Sequence, residues 1–280
     1  MSAPLELRCA GRSIDLSTPR VMGVLNVTPD SFSDGGRFVD LAAAVAHGER
    51  LAQEGAALID VGGESTRPGA APVSAAEQLA RVVPVIERLV ARTDAVISVD
   101  TSSAEVMRAA VAAGAGLIND VRALRAPGAL AAAAASECAV CLVHMQGEPA
   151  TMQRAPHYAD VVAEVRAFLS ARVAACAAAG IGAGRVLIDP GFGFGKTVEH
   201  NLTLLRRLAE LTRADAALLV GLSRKGLLGT LTGRPVSERS AGSVALAVLA
   251  AQRGARIIRA HDVAATLDAL KVVAAVTGGG

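Results

Sequence analysis

Short apolar runs alternate with longer stretches of helical periodicity along almost the whole chain, and this alternation occurs eight times. Strands that are apolar on both faces and alternate with helices indicate a parallel sheet. Eight such units predict an α/β fold closed as a (β/α)8 TIM barrel, with an open doubly wound sheet as the structural alternative. The predicted strands are 21–27, 57–61, 96–99, 116–119, 139–144, 186–189, 217–221 and 256–260.

The stretches between these strands repeat apolar residues at the spacing of amphipathic helices. Before the first strand, residues 5–9 and 13–16 flank a turn and predict a short N-terminal β-hairpin that plugs the bottom of the barrel. No linker separates the units, so 1–280 is predicted to be a single barrel domain with a frayed tail at 277–280. The predicted helices are 41–54, 75–91, 104–113, 127–134, 159–179, 199–211, 240–253 and 264–275.

Composition narrows the class of protein. Hydrophobic residues make up 52% and charged residues 19% of the 280 residues, which excludes a disordered chain and suits one barrel of roughly 250 residues. The net charge of +2 is spread without basic runs, so no nucleic-acid partner is expected. The apolar runs fall well short of the ~18 residues of a membrane span, so we expect no membrane and a cytoplasmic protein.

Cysteine usage is low. Four cysteines are too few for a disulfide framework in a chain of this length. Cys138 and Cys141 form a CxxC, but this pair enters an apolar strand and no second pair completes a zinc site. We interpret both as core side chains, with zinc or redox chemistry as the alternative.

Every predicted strand ends in a polar side chain. The C-terminal ends of all barrel strands meet at one face, where active sites lie, so these side chains are expected to converge on one pocket. A single Asp or Ser in such a place is often only a helix N-cap, the simpler interpretation of Asp262 and Ser74. The residues in question are Asn26, Asp60 with Glu64, Asp100, Asn119 with Asp120, His144, Asp189, Ser223 with Lys225, and His261.

Two predicted loops, 28–36 and 62–69, are rich in glycine, proline and hydroxyl side chains. Phe32 exposed on the first would be costly unless something covers it. We therefore predict lids over a ligand, with ordinary surface turns as the alternative.

The segment 189–197 contains a Gly-Lys pair but is not a phosphate-binding Walker A loop, because position 190 is proline where that motif needs glycine. Its glycines alternate with Phe192 and Phe194, which indicates a backbone that lets flat rings approach a flat ligand.

Only three of the 28 lysines and arginines are lysines. Lys225, directly after a strand, therefore indicates a required ammonium group, with a surface lysine as the alternative.

Arg259 and His261 alternate on the last strand, so their side chains point to the same side. Asn26 ends the first strand, which is the neighbour of the last in a closed barrel. Together the three residues predict an anion or phosphate site.

Seven motifs, in order along the chain, resemble those of the bacterial dihydropteroate synthase family of pterin-binding barrels, and the match is colinear from about residue 5 to residue 276. The resemblance implies an enzyme, a transferase of folate biosynthesis. It would join 4-aminobenzoate to a dihydropterin that carries a hydroxymethyl diphosphate, and would release pyrophosphate. The motifs are 25–36, 60–69, 98–101, 118–121, 189–196, 223–225 and 259–261.

The resemblance also implies roles for the candidate residues. The residues implied to bind the pterin are Asp100, Asn119, Met145, Asp189, Phe194, Lys225 and Arg259. Those implied to bind the diphosphate are Asn26, Arg259 and His261, with Asn26 also a ligand of a Mg²⁺ cofactor. Those implied for 4-aminobenzoate and the lids are Phe32, Thr66, Arg67, Pro68 and Gly226, and the catalytic set is Lys225, Arg259 and His261.

Gly226 departs from family members that have serine after this lysine, so the benzoate carboxylate would be left to backbone N–H groups. The resemblance further implies a homodimer formed through outer helices and inhibition by sulfonamides. Two alternatives remain: the pterin-binding barrels of methyl-transferring corrinoid systems, and a non-catalytic pterin-binding paralogue. The loop motifs disfavour the first, and the intact Asn26, Arg67, Lys225, Arg259 and His261 disfavour the second.

Overall fold

The structure is a computed structural model that describes residues 5–27, 36–65, 73–148 and 151–277. Within these ranges the strands are β1 Glu6–Cys9, β2 Arg12–Asp15, β3 Arg20–Asn26, β4 Leu58–Gly62, β5 Val96–Asp100, β6 Leu117–Asp120, β7 Ala139–Val143, β8 Val186–Asp189, β9 Ala217–Gly221 and β10 Ile257–Ala260. The helices are α1 Gly36–Gln53, α2 Ala75–Arg92, α3 Ala104–Ala112, α4 Ala129–Ala134, α5 Val161–Ala178, α6 Val198–Arg206, α7 Gly226–Thr232, α8 Ser240–Gln252 and α9 Val263–Thr277.

Strands β3 to β10 form a closed barrel in which every neighbouring pair is parallel. Closure comes from β10, which pairs with β3 through Arg259 and Met22. This confirms the predicted (β/α)8 barrel and excludes the open-sheet alternative. All eight strands lie within one residue of their predicted bounds, because runs that are apolar on both faces stand out in the sequence.

Alternation along each strand divides the core into two layers. In β4, Ile59 packs outward against the helices, whereas Leu58 points into the barrel. Asp60 and Gly62 point to the same side as Leu58, because alternate residues of a strand share a face. The inward-facing positions of β4 therefore change from an apolar side chain to a carboxylate and then to a glycine. The same change in other strands makes the C-terminal end of the barrel the polar end.

The hairpin β1–β2 covers the other end of the barrel, as predicted. Leu7, Ile14 and Leu16 are buried with the inward-pointing Met22 and Leu58 of the barrel. The plug therefore closes the bottom of the barrel, and the mouth is left as the end where a ligand can enter.

The helices depart from the prediction in three places. The first is α1, which begins at Gly36, five residues before the predicted start at 41. The predicted helix 199–211 ends early as α6 and is followed by a separate turn of 3₁₀ helix at Leu208–Leu211. The short α7 was not predicted, and its N-cap residue is Lys225. Ser74 caps α2, as predicted, by accepting from the Glu77 N–H at 3.2 Å. Asp262 instead binds Arg224, whose Nη2 lies 2.6 Å from its Oδ1.

The four cysteines are free and buried. Burial raises the pKa of both Cys138 and Cys141, and the Cys138 thiol lies 3.0 Å from the Ala115 carbonyl oxygen. This environment is that of a core side chain. Across the part of the chain that the structure describes, no helix has the length and apolar character needed to cross a membrane.

Candidate active site

The mouth of the barrel brings together candidate residues from most of the strands. Asn26, Gly62, Asp100 and Asn119 form one row across four adjacent strands. Gly62 has no side chain, and a Cβ at its position would lie 3.8 Å from Asn26 Oδ1 and 3.9 Å from Asp100 Oδ2. The glycine therefore leaves a space in the wall between these two polar groups.

An ion-pair network crosses this space from β10. Arg259 Nε lies 2.6 Å from Asp60 Oδ2, and its Nη2 lies 3.1 Å from Asp100 Oδ2. Asp60, which has no exposed surface, also accepts from Ser98 Oγ at 2.6 Å and from Asn119 Nδ2 at 3.0 Å. A buried carboxylate is tolerated only with such partners.

Asp60 lacks an assigned role in the sequence-based site, yet it orients two of the candidate residues. The role of Asp60 could have been predicted from the sequence. It is the one charged residue of an otherwise apolar strand, two residues after the inward-facing Leu58. Its three partners are 38, 59 and 199 residues away in sequence, so their identity was not predictable.

Two acceptors on this wall have unusual chemistry. Asn119 Oδ1 is buried and has no hydrogen-bond partner among the described residues. Burial and the nearby Asp60 carboxylate raise the pKa of Asp100 to about 7, although Arg259 opposes the shift. A buried acceptor without a donor costs about 1–3 kcal/mol, so this wall favours a ligand that offers N–H groups.

Asp189 and Lys225 form the opposite side of the mouth. Asp189 Oδ1 accepts from the Gly191 N–H at 2.7 Å, and burial raises the pKa of this carboxyl while Lys225 opposes the shift. Lys225 Nζ donates to the Phe192 carbonyl and lies 4.7 Å from the centre of the Phe194 ring. Burial lowers the pKa of Lys225 to about 8. The predicted ammonium therefore faces the barrel interior and is not a surface lysine.

Met145 and Phe194 supply the apolar walls. Met145 is buried in the inner core cluster, and the half-buried Phe194 packs against the same cluster. The glycines around Phe194 have a steric role in the turn, and their predicted role in ring approach stays a prediction. Gly191 and Gly195 adopt positive φ, and a Cβ on either would overlap the carbonyl oxygen of His144 or Gln146, respectively.

The predicted anion site is only partly assembled by the described residues. His261 Nδ1 lies 3.0 Å from Ser223 Oγ at the end of β10, and Asn26 ends the adjacent β3. Arg259 points inward and already binds two carboxylates, but these bonds use two of its five N–H groups. Gly226 begins α7, and a Cβ there would have no atom within 4 Å.

Three strand-end residues do not join the pocket, which corrects the expectation that all of them converge. Asp120 accepts from the N–H groups of Arg122 and Leu124 at 2.8 and 2.7 Å, so it fixes the following turn. Glu64 accepts from the Val73 N–H at 3.1 Å. His144 binds Lys196, 2.9 Å away, beneath the turn after β8. Asp120 and His144 point away because each follows an inward-facing residue.

The residues expected to form the lids, Phe32, Thr66, Arg67 and Pro68, lie outside the described residues. The lid hypothesis therefore stays a prediction.

Few of the described side chains at the mouth could act as ligands of the implied Mg²⁺. No group of three or more His, Cys, Asp or Glu side chains is placed to hold a metal ion in the described ranges. Mg²⁺ commonly keeps several waters and binds one or two protein oxygens together with phosphate oxygens of a substrate. The single amide oxygen of the half-buried Asn26 fits that mode, in which most ligands come from diphosphate and water.

Comparison with known proteins gives matches over most of the chain. The family described as "Pterin binding enzyme" matches residues 22–261. The dihydropteroate synthase of Escherichia coli strain K12 is 54% identical over 271 residues, covering 97% of this chain and 96% of the relative.

Two solved structures share this architecture. Yersinia pestis dihydropteroate synthase with a sulfonamide drug complex has a TM-score of 0.93 at 52% identity, covering 98% of this chain and 99% of that chain. Xanthomonas albilineans dihydropteroate synthase with 4-aminobenzoic acid has a TM-score of 0.92 at 59% identity, covering 98% of each chain.

Proposed function

This chain belongs to the pterin-binding enzyme family, among its dihydropteroate synthases, and from that premise we propose how the barrel mouth carries out the reaction. The enzyme condenses 4-aminobenzoate with (7,8-dihydropterin-6-yl)methyl diphosphate, giving 7,8-dihydropteroate and pyrophosphate. The C–O bond to the diphosphate breaks, a C–N bond to the aniline nitrogen forms, and that nitrogen loses one proton as pyrophosphate leaves. The family that the seven motifs indicated is thereby confirmed, and the methyl-transferring alternative is not supported.

The observation that carries the proposal is the set of buried acceptors at the mouth. Asn119 Oδ1 has no partner among the described residues, and the Asp100 and Asp189 carboxyl groups face the same space with raised pKa values. An aminopyrimidinone ring presents N–H donors in a fixed plane, so it would bind all three. Met145 and Phe194 would contact the two faces of the ring.

The cations at the mouth would act on the leaving group. Arg259 has free N–H groups after binding Asp60 and Asp100, and His261 lies at the same end of β10. We propose that both hold the diphosphate and that Lys225 binds the pterin from the side of Asp189. Fixed cations placed where negative charge develops are a strong catalytic device, and no protein nucleophile is required.

Mg²⁺, when bound with the substrate, would neutralise the charge of the departing diphosphate. Asn26 is the residue of this chain that would hold the ion. Asn26 ends β3, the neighbour of the β10 strand that carries Arg259, so it would hold the ion beside the proposed diphosphate site.

We place 4-aminobenzoate at the outer side of the mouth. The start of α7 leaves open space beside Gly226, and the lid residues Phe32, Thr66, Arg67 and Pro68 would cover the ring. A sulfonamide of similar shape would then compete for this position.

We also propose a cytoplasmic homodimer. The dimer is supported by exposed apolar side chains on three consecutive outer helices, namely Leu231, Leu249, Val272 and Val276. Burial of such side chains against a second copy would remove apolar surface from water. Light scattering that gives a monomer at micromolar concentration would contradict this assignment.

A pyrophosphate-release assay tests the proposed reaction. Release should require the pterin diphosphate, 4-aminobenzoate and Mg²⁺ together, and omission of any one should abolish it. Pterin binding without release under all conditions would instead identify a non-catalytic paralogue.

A further inference from the structure

Lys196 is a buried cation that the reaction described above does not use. Its residue is 3% exposed, and it lies in the turn between β8 and α6. Its Nζ lies 2.9 Å from His144 Nδ1, 3.0 Å from the Gly191 carbonyl oxygen and 3.0 Å from the Phe194 carbonyl oxygen. These three contacts match the three N–H donors of an ammonium group, with His144 Nδ1 as the acceptor when this ring carries its proton on Nε2. Burial lowers the pKa of Lys196 to about 7.

The two carbonyl groups belong to the turn that forms one side of the proposed pterin pocket. The N–H of Gly191 donates to Asp189 Oδ1, and the ring of Phe194 faces Lys225 Nζ at 4.7 Å. Gly191 and Phe194 therefore contact Lys196 through their carbonyl oxygens, and contact the pocket residues through their other groups. A displacement of either carbonyl would move the pocket wall.

This turn needs such restraints because of its backbone. Gly191, Gly193 and Gly195 have φ values of 68°, 82° and 61°. Glycines have many accessible backbone conformations, so three of them close together do not by themselves define one turn. A second buried side chain, Asn201, accepts from the Gly193 N–H at 2.8 Å and donates to the Thr197 carbonyl at 2.6 Å.

We propose that Lys196 is a positioning residue for pterin binding. By holding the carbonyl oxygens of Gly191 and Phe194, it fixes the Phe194 ring and the Asp189 carboxylate where a flat pterin needs them. The inference rests on the proposed function for the identity of the ligand. It assigns Lys196 no contact with substrate.

A matched pair of variants separates positioning from general stabilisation. Arg185 is also a cation that binds backbone carbonyls beside β8, but at the other end of that strand. Its Nε and Nη2 lie 2.9 and 2.8 Å from the Cys138 oxygen, and Nη2 lies 2.6 Å from the Ser136 oxygen. Lys196→Met and Arg185→Met therefore delete equivalent bonds at the mouth and at the bottom.

The readouts are thermal unfolding, the Kd of a 6-substituted pterin without diphosphate, and steady-state kinetics. Both variants should unfold at lower temperature than the parent chain. Only Lys196→Met should raise the pterin Kd and the KM for pterin diphosphate, by about tenfold or more, as expected when hydrogen bonds to a charged group are lost. The kcat at saturating pterin diphosphate should change much less, because the diphosphate contacts remain.

Equal pterin Kd values for the two variants would overturn the proposal. If Lys196→Met does not fold, Asn201→Ala replaces it, because this change releases the Gly193 N–H of the same turn. An unchanged pterin Kd in folded Asn201→Ala would overturn the proposal as well. If the parent chain binds pterin but releases no pyrophosphate, the proposed function fails while the comparison of Kd values still decides the role of Lys196.

Discussion

At the hairpin end of the barrel, the ion pairs and the carbonyl contacts of arginine lie at the surface, whereas at the mouth Arg259 binds two carboxylates inside the barrel. Arg12 Nη1 lies 3.1 Å from the Asp94 oxygen, and Arg185 binds the Cys138 and Ser136 oxygens. At the mouth, Arg259 binds Asp60 and Asp100. Arginines at the hairpin end therefore stabilise the backbone, whereas Arg259 at the mouth orients two carboxylates of the candidate site.

The two ends also differ in their buried polar atoms that lack a hydrogen-bond partner among the described residues. At the mouth, the buried acceptor Asn119 Oδ1 has no partner among the residues that the structure describes, and the pKa values of Asp100 and Lys225 shift to about 7 and about 8. At the hairpin end, Arg256 Nε has no partner within the described ranges, but Nη1 of the same group donates to the Ser17 carbonyl oxygen at 3.0 Å. In a (β/α)8 barrel the bottom serves stability and the top serves chemistry.

A large volume does not by itself identify the ligand site. A groove of about 1040 Å³ lies beside the hairpin, lined by both charged and apolar residues. Four of its charged groups already form ion pairs, with Arg20 3.1 Å from Asp15 and Arg92 3.3 Å from Glu49. Unsatisfied polar groups therefore identify the ligand site better than the volume of a cavity does.

The largest effect is expected from the hairpin. Leu7→Ala removes a side chain that is 1% exposed and packed under the barrel, so it should lower the free energy of unfolding by about 2–5 kcal/mol. Denaturant unfolding measures this loss. The folded protein should keep the pterin Kd of the parent chain, because the hairpin lies at the opposite end from the pocket. A weakened pterin affinity in the folded variant would show that the two ends are coupled.

The next effect belongs to the mouth and concerns binding. Asp189→Asn replaces an acceptor-only carboxylate by a group that is half donor and would face ring N–H groups. The pterin affinity should fall by about 2–4 kcal/mol in calorimetric titration. Asp15→Asn makes the same chemical change at an exposed carboxylate of the hairpin and serves as the control. Equal affinities in the two variants would remove Asp189 from the pterin site.

A third effect is the pH dependence of stability. Burial and Asp60 raise the pKa of Asp100 from 3.8 to about 7, so the folded state binds this proton more tightly than the unfolded state does. The stability contributed by the protonated form is complete below about pH 4 and is lost as the pH rises through about 7. Asp100→Asn should flatten the curve of unfolding free energy against pH in this window by more than about 1 kcal/mol. Identical curves for both proteins would contradict the shifted pKa.

The sequence predicted the barrel well because strand and helix periods are local. Both bounds of β8 and of β9 were predicted correctly, since each run is apolar on both faces and ends at a polar residue or glycine. The placement of Asn26, Asp100 and Asn119 at one face followed from the same pattern. These successes needed only the rule that strand ends meet at the mouth.

The network beneath the pocket was not predictable in the same way. Asp60 contacts Arg259 across 199 residues, and Lys196 contacts His144 across 52 residues. Period-two alternation could have separated Asn119 from Asp120, because adjacent strand residues point to opposite faces. It could not have shown that Lys196 holds a turn of three glycines, because those contacts arise only in the folded chain.

The smallest effect compares two glycines that both have room for a side chain. A Cβ at Gly226, at the mouth, or at Gly11, in the hairpin turn, would have no atom within 4 Å. Only Gly11 has a positive φ, 81°, which L side chains rarely adopt. Gly11→Ser should therefore cost about 1 kcal/mol of unfolding free energy, whereas Gly226→Ser should gain about 0.5–1 kcal/mol by restricting the unfolded chain.

The serine at position 226 should also place a hydroxyl group at the start of α7, where we locate the benzoate carboxylate. The KM for 4-aminobenzoate should then fall a few-fold, as expected for one added neutral hydrogen bond of about 1 kcal/mol. Gly226→Ala separates the two effects, since it restricts the backbone and offers no hydroxyl. A KM that falls equally in both variants would assign the gain to the backbone, and a KM that stays constant in both would move the carboxylate away from α7.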